Sequence, residues 1–216
     1  MIKNVKCIVF DLDGVLTETS AQHFIAWKHL AKRLGIKLED SFEENLKGVS
    51  RQVSLNRILA LGSKDYSDWE KAKMCEEKNL HYQKLIEDFG PENLFEGVSE
   101  LFDYLKQRDI KIALASASKN APTIINALGI AEQFDYVANP NHHPGKPAPD
   151  LFLAPIKYFG LKPEVCIGVE DASAGIEAIK KAQMHAVGIG KKTQLPAADI
   201  CFDHVKRLLP YLKTLE

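Results

Sequence analysis

The sequence predicts the α/β class: a parallel sheet built from strand–helix repeats, with a helical domain inserted after the first strand. Three observations predict it. Short apolar runs recur at 5–10, 110–115, 135–138, 165–169, 185–189 and 199–202. Amphipathic stretches with helical spacing lie between most of them. One long segment, 18–89, breaks the rhythm with a helical pattern and no convincing strand. Strands that alternate with helices imply right-handed crossovers, and these require parallel neighbours.

Taken in order, Val5-Lys6-Cys7-Ile8-Val9-Phe10 reads as the first strand. Phe24, Trp27, Leu30, Ala31 and Leu34 then follow a helical spacing, and Leu55, Ile58, Leu59 and residues 72–86 continue it. The segment 18–89 is far longer than an ordinary crossover, although helices that merely cover the sheet would give the same pattern. The expected division is a core of 1–17 and 90–216 and a helical cap of 18–89. The connectors near 15–18 and 88–95, the latter containing Asp88-Phe89-Gly90-Pro91, should lie side by side as a hinge. Beyond them, Leu101, Leu105 and Ile110 border one helix. Ile124, Ile125 and Leu128 mark a second, which ends at Gly129. Ile176 and Ile179 mark a third.

Composition narrows the function. Of 216 residues 45% are hydrophobic, enough for a sizeable core. The 28 basic and 29 acidic residues leave no gross electrostatic case for nucleic acid or an anionic membrane as partner. No apolar run reaches bilayer-spanning length. The N-terminus carries Lys3 and Lys6 but no long apolar stretch, so no signal peptide is expected. Cys7, Cys75, Cys166 and Cys201 are widely spaced, and three of them fall in apolar strand-like runs. A reduced, cytoplasmic protein is the natural expectation. There is no repeat or low-complexity tract, and a monomer is expected by default.

Open parallel sheets bind ligands at the carboxyl ends of their strands. Here the first run leads into Asp11-Leu12-Asp13-Gly14. The second leads into Ser116-Ala117-Ser118-Lys119-Asn120. The third is followed by a Pro-, Asn- and His-rich loop that reaches Lys146-Pro147, and the fourth by Glu170-Asp171. Two neighbouring carboxylates repel, and desolvation favours neutralising one, so a cation would stabilise the pair. One carboxylate could serve as nucleophile and the other as general acid/base. Asp11, Glu170 and Asp171 offer hard oxygen ligands for Mg²⁺, and the Ser116 hydroxyl and Lys146 ammonium could steady phosphoryl oxygens. Each group alone also has an ordinary explanation. Asp-Gly is a common turn, Ser and Asp cap helices, and a lone loop lysine is usually solvated. Four such groups at successive strand ends are harder to dismiss. The adjacent His142-His143 lack the spacing of a zinc site and suit a solvent-facing loop.

The set Asp-x-Asp-Gly-Val, strand-end Ser, Lys146-Pro147-Ala148-Pro149-Asp150 and Val169 to Ile176 resembles the haloacid dehalogenase superfamily over essentially the whole chain. The resemblance implies a Rossmann-like parallel sheet core with helices on both faces and an inserted α-helical cap domain. It implies that Asp11 is the nucleophile. Asp13 would act as acid/base and give its backbone carbonyl to Mg²⁺, completing a metal set of Asp11, Asp13, Glu170 and Asp171. An acid at the second position points to phosphoryl transfer rather than dehalogenation.

Within that superfamily, Lys47-Gly48-Val49-Ser50-Arg51, Ser54-Leu55, His23-Phe24-x-x-Trp27 and Ser116 to Asn120 resemble the β-phosphoglucomutase subfamily. The loop 139–145 departs from that pattern. The likeness implies interconversion of β-D-glucose 1-phosphate and D-glucose 6-phosphate through an aspartyl phosphate and β-glucose 1,6-bisphosphate. It implies that Thr17 and His23 help to set Asp13, and that Trp27, Lys47, Gly48, Val49, Arg51, Ser54, Ala117, Ser118, Lys119 and Asn120 contact substrate. Arg51 offers a bidentate fork for the second phosphate. Ser118, Lys119 and Asn120 would open a helix near 119–128 whose free N–H groups favour an anion. Alternatives are a sugar-phosphate phosphatase of the same fold, or a non-catalytic sugar-phosphate binding protein.

Overall fold

A computed structural model describes residues 4–215; Lys3 and the chain ends at 1 and 216 lie outside them. Six parallel strands form one sheet. They are β1 (Cys7–Phe10), β2 (Lys111–Leu114), β3 (Tyr136–Val137), β4 (Cys166–Glu170), β5 (His185–Ile189) and β6 (Ile200–Phe202). Their order, β3-β2-β1-β4-β5-β6, puts β1 at the switch point between two oppositely progressing halves. Phe10 pairs in register with Leu114 on one side and Val169 on the other. The residues after each strand therefore emerge along one edge.

The strands are buried on both faces, which is why their runs are continuously apolar. Ile8 and Phe10 point to one side, Cys7 and Val9 to the other, as the two-residue pleat demands. The first face packs on α4 (Val98–Gln107), α5 (Ala121–Ala127) and α8 (Leu208–Lys213), through residues such as Leu101, Phe102, Ile124 and Leu208. The second packs on α6 (Asp150–Phe159) and α7 (Ser173–Lys181), through Leu151, Phe152, Ile176 and Ile179. Cys7 and Cys166 face each other across β1 and β4, both buried and both free thiols. No described helix is long and apolar enough to cross a membrane.

Three helices fill the interval after β1: α1 (Ser20–Arg33), α2 (Arg51–Leu59) and α3 (Asp68–Leu85). They share their own apolar cluster of Phe24, Trp27, Leu30, Leu55, Ile58 and Met74. α3 begins with a capping box in which Ser67 and Glu70 satisfy each other's backbone donors, at 3.3 Å and 2.8 Å. Its buried stripe is Met74, Lys78 and Tyr82, a four-residue spacing that places a lysine among apolar groups. The two connectors run side by side. Thr17 bridges Leu94, the Phe95 N–H donates to the Leu16 carbonyl at 2.9 Å, and the Thr17 hydroxyl donates to the Asn93 carbonyl at 2.7 Å.

Candidate active site

β1 ends at Phe10, and the next residue, Asp11, turns its carboxylate into the interior at the sheet edge with 5% exposure. The buried Lys146 ammonium reaches it and also donates to Glu170 Oε2 at 2.7 Å. The other Glu170 oxygen accepts from the Asp171 and Ala172 N–H groups, each at 3.1 Å. One cation thus sits between two carboxylates contributed by adjacent strands. Burial would push the Lys146 ammonium down, but Asp11 and Glu170 hold its pKa above the ordinary lysine value, so it stays charged.

Asp11 is pushed up to about 7, by burial first and then by Glu170, with Lys146 opposing. Asp171 lies well above the usual carboxylate range for the same reasons: burial, then Glu170 and Asp11. Asp11 and Asp171, both raised beside the Glu170 carboxylate, mark a site short of positive charge. Oxygens of Asp11, Glu170 and Asp171 all lie within 4.8 Å of one another, the one such group of three among the described residues. The donor set is all hard oxygen, which fits Mg²⁺. Gly14 makes room for it. Its φ is +77°, and a Cβ there would stand 2.2 Å from Asp171 Oδ2.

Asp13 follows on the connector, pushed up to about 8 by burial, then by Asp11 and Glu18. Its carboxylate accepts from the Thr19 hydroxyl. Thr17 meets Asp13 through the backbone, as a parallel bridge, and not through its side chain. The Gly14 N–H donates to the Thr17 carbonyl at 2.8 Å, a turn that faces the Thr17 side chain to Asn93 and leaves Thr19 to meet Asp13. His23 also takes another partner, Lys78 Nζ, at 2.6 Å from Nδ1. Burial, then Lys78 and Arg51, hold the His23 imidazole well below its usual value, so it stays neutral and can accept from the ammonium. Lys78 is brought down to about 7, by burial first and then Arg51. Its ammonium lies over the Trp27 ring at 4.9 Å and the Tyr82 ring at 4.7 Å.

Asp11, Asp13 and Asp171 open onto a cavity of 710 Å³ between the strand ends and the helical insertion. His23 and Trp27 of α1, Lys47, Gly48 and Val49 of the next loop, and Arg51 and Ser54 of α2 line it. Ser116, Ala117, Ser118 and Lys119 line it from the β2–α5 loop. Lys146 and Glu170 sit beneath its floor. Asn120 does not line it, and this corrects one expectation. α5 begins at Ala121, spans seven residues and carries a proline in its first turn. The Asn120 N–H is already taken by Ser118 Oγ at 3.2 Å, and the Asn120 side chain by α3. In the β2–α5 turn the Ser118 and Asn120 N–H groups are thus taken locally, and Ser116, Ala117, Ser118 and Lys119 are what it presents to the cavity. Within that turn the Ser118 N–H donates to Ser116 Oγ at 3.0 Å, which leaves the Ser116 proton free to point outward.

Gly48 brings the insertion down onto the strand ends. At φ +67° it stands so close that a Cβ would come 2.7 Å from the Ala172 Cβ. The loop 139–145 adds Asn141, His143 and Pro144 to the wall; His143 is half-buried and His142 exposed. Lys78, Asn79 and Thr19 were not singled out in the sequence. The signal for Lys78 was its place in the Met74–Tyr82 stripe.

Residues 5–183 match the haloacid dehalogenase-like hydrolase family, and the chain belongs to it. Among its relatives, the β-phosphoglucomutase of Bacillus subtilis is 43% identical over 91% of this chain and 88% of its own length. The crystal structure of β-phosphoglucomutase from Clostridium difficile superimposes with a TM-score of 0.94 at 42% identity, covering 98% of this chain and 96% of that one. A phosphorylated carbohydrates phosphatase of Thermotoga maritima is 28% identical over 85% of this chain and 84% of its own length.

Proposed function

We propose that the chain is a phosphomutase that interconverts β-D-glucose 1-phosphate and D-glucose 6-phosphate through β-glucose 1,6-bisphosphate. The observation that carries this reading is Arg51. Its guanidinium lines the cavity, is brought down by burial, and donates to the neutral Asn79 Oδ1 at 2.7 Å; its electrostatic partners are Cys75 and Tyr82, not a carboxylate. A desolvated cation without a counter-charge suits a phosphate. A sugar with phosphate at both ends would meet Asp11 with one and Arg51, with Lys119, with the other. The likeness to the Bacillus and Clostridium enzymes supports the same assignment.

In this mechanism an Asp11 oxygen attacks the phosphorus of the bisphosphate. The bond from phosphorus to the sugar oxygen breaks, and Asp13, protonated near neutral pH, gives its proton to that oxygen. In the second half the ionised Asp13 takes the proton of an acceptor hydroxyl, which attacks the aspartyl phosphate and regenerates Asp11. Lys146 and the Ser116 hydroxyl supply fixed donors to the phosphoryl oxygens as charge develops. Asp11, Glu170 and Asp171 would hold Mg²⁺, which supplies charge neutralisation for the transferring group. Residues 18–89 act as a cap on a hinge at 15–18 and 88–95, and Thr19 aligns Asp13 when the cap is down. Closure keeps water from the aspartyl phosphate until sugar arrives.

³¹P NMR of β-glucose 1-phosphate with trace bisphosphate and Mg²⁺ tests the reading. Glucose 6-phosphate as the main product is expected; inorganic phosphate as the main product would replace the mutase with a phosphatase.

A further inference from the structure

The loop between β3 and α6 holds its own shape before it reaches the floor of the site. The Asn141 N–H and Nδ2 both donate to Asn139 Oδ1, at 2.9 Å and 3.1 Å, and the His142 N–H donates to the Asn139 carbonyl at 3.0 Å. Pro140 and Pro144 stiffen the chain on either side of His142 and His143. Gly145 then passes close to the insertion, where a Cβ on it would stand 3.4 Å from the Ser50 Cβ, one residue before Arg51. Lys146 follows, with its ammonium on Asp11 and Glu170. His143 stands three residues before Lys146, so their Cα atoms are at most about 11 Å apart. His143 is half-buried and lines the cavity. His23, the other histidine of the wall, is held by Lys78, whereas the His143 imidazole has no hydrogen bond, ion pair or ring contact with any described residue.

We propose that His143 is a specificity-determining residue that hydrogen-bonds a ring hydroxyl of the sugar. The cavity divides by chemistry. Lys146 and Ser116 serve the phosphoryl group at Asp11, and Arg51 with Lys119 serves the second phosphate. Between the two phosphates of such a substrate lies a ring of hydroxyls, each both a donor and an acceptor. An imidazole in its neutral form carries one donor and one acceptor nitrogen and matches either side of a hydroxyl. The stretch 143–146 covers that interval, because Gly145 passes the residue before Arg51 and Lys146 reaches Asp11. A wall group that hydrogen-bonds a hydroxyl selects against the analogue that lacks it, since its own polar atom is then left unpaired. The loop 139–145, which departs from the subfamily pattern, thereby gains a use in choosing the sugar. The contact deepens the mutase reading and rests on it for the identity of the substrate.

A cycle between side chain and substrate tests it. The full chain, His143→Ala and His143→Gln are assayed with Mg²⁺ and trace bisphosphate on β-glucose 1-phosphate and on analogues that lack the hydroxyl at C2, C3 or C4. A small aryl phosphate, which has no sugar, serves as the control for folding and for the phosphoryl site. The parent should lose kcat/KM on one analogue in particular. His143→Ala should raise KM for β-glucose 1-phosphate about 2–10-fold, the factor one lost hydrogen bond gives, and should show no further loss on that one analogue. His143→Gln keeps a donor and an acceptor and should fall between the two. Hydrolysis of the aryl phosphate should be the same in all three proteins. A His143→Ala variant with the parent's KM and the parent's ranking of analogues overturns the contact. A loss of equal size on every analogue places the imidazole on a phosphate and also overturns it, as does a loss shared by the aryl phosphate. A parent that turns every sugar phosphate into inorganic phosphate overturns the mutase reading instead, and the same cycle read on phosphate release still decides His143.

Discussion

Among the described residues, Thr19 gives Asp13 its side-chain hydrogen bond, and that contact sets what substitutions on the connector should do. Thr19→Val keeps the shape and removes the donor. A hydrogen bond to a neutral carboxyl is worth about 0.5–1.5 kcal/mol, so sugar-dependent transfer should fall roughly 2–10-fold while hydrolysis of a small aryl phosphate is kept; steady-state kinetics on both substrates checks this. Asp13→Asn should cost transfer roughly 10²–10⁴-fold, the usual range for a lost general acid/base, and a smaller loss would remove Asp13 from that role. Thr19 was not legible in the sequence because two threonines in an extended connector look alike. Only the turn closed by Gly14 decides which one faces Asp13. Lys78 was hidden for a different reason: a helical lysine is by default solvated, and only its stripe neighbours argue otherwise. Its depressed pKa has a stability consequence. Between about 7 and the ordinary lysine value of 10.5 the unfolded chain binds the proton that the folded chain has released, so stability from this group rises with pH. Below about 7 the buried charge is fully present and its cost is greatest. Lys78→Met should therefore stabilise the protein most below pH 7, with the gap closing toward pH 10.5. Denaturation midpoints of both proteins across that range measure it, and a pH-independent gap would contradict it.

The elements divide into those that carry chemistry and those that close over it. The strand ends were readable because each apolar run stops at a polar residue and a parallel sheet sends all those stops to one edge. Asp11, Ser116 and Glu170 are found there for that reason. The helical insertion was readable as helices, from the spacing of Phe24, Trp27 and Leu30, but its contacts with the strand ends were not. Asn79 and Asn120 are distant in sequence, and an Asn on a helix or in a turn has many ordinary partners. α5 was legible at its start: it was expected to open near 119, and Asn120 is its N-cap with Pro122 in the first turn. Gly48 lets the insertion approach Ala172. Gly48→Val would add a β-branched side chain at φ +67°, a strain of about 1–3 kcal/mol, besides the collision. Sugar-phosphate KM should rise and aryl phosphate hydrolysis should hold. Gly48→Ala combined with Ala172→Gly should recover part of the loss, since it relieves the collision and leaves only the backbone strain.

For the molecule as a whole, the two connectors running as neighbours make the insertion and the sheet one machine with one cavity. The sheet fixes the carboxylates, and the insertion supplies Arg51 and Lys78 above them. The cluster of Asp11, Glu170 and Asp171 should bind Mg²⁺ in the folded chain only, so added Mg²⁺ should raise the thermal midpoint in proportion to the logarithm of its concentration. Asp171→Ala should abolish that rise, and removal of the metal with a chelator should end turnover. The central claim is that a phosphoryl group held on Asp11 passes to sugar rather than to water. A single-turnover chase measures this directly: the labelled phosphoenzyme is formed, mixed with β-glucose 1-phosphate, and quenched over time. Label leaving the protein as β-glucose 1,6-bisphosphate, with no labelled protein formed by Asp11→Asn, is the predicted result; label leaving as inorganic phosphate at the same rate with and without sugar would contradict it.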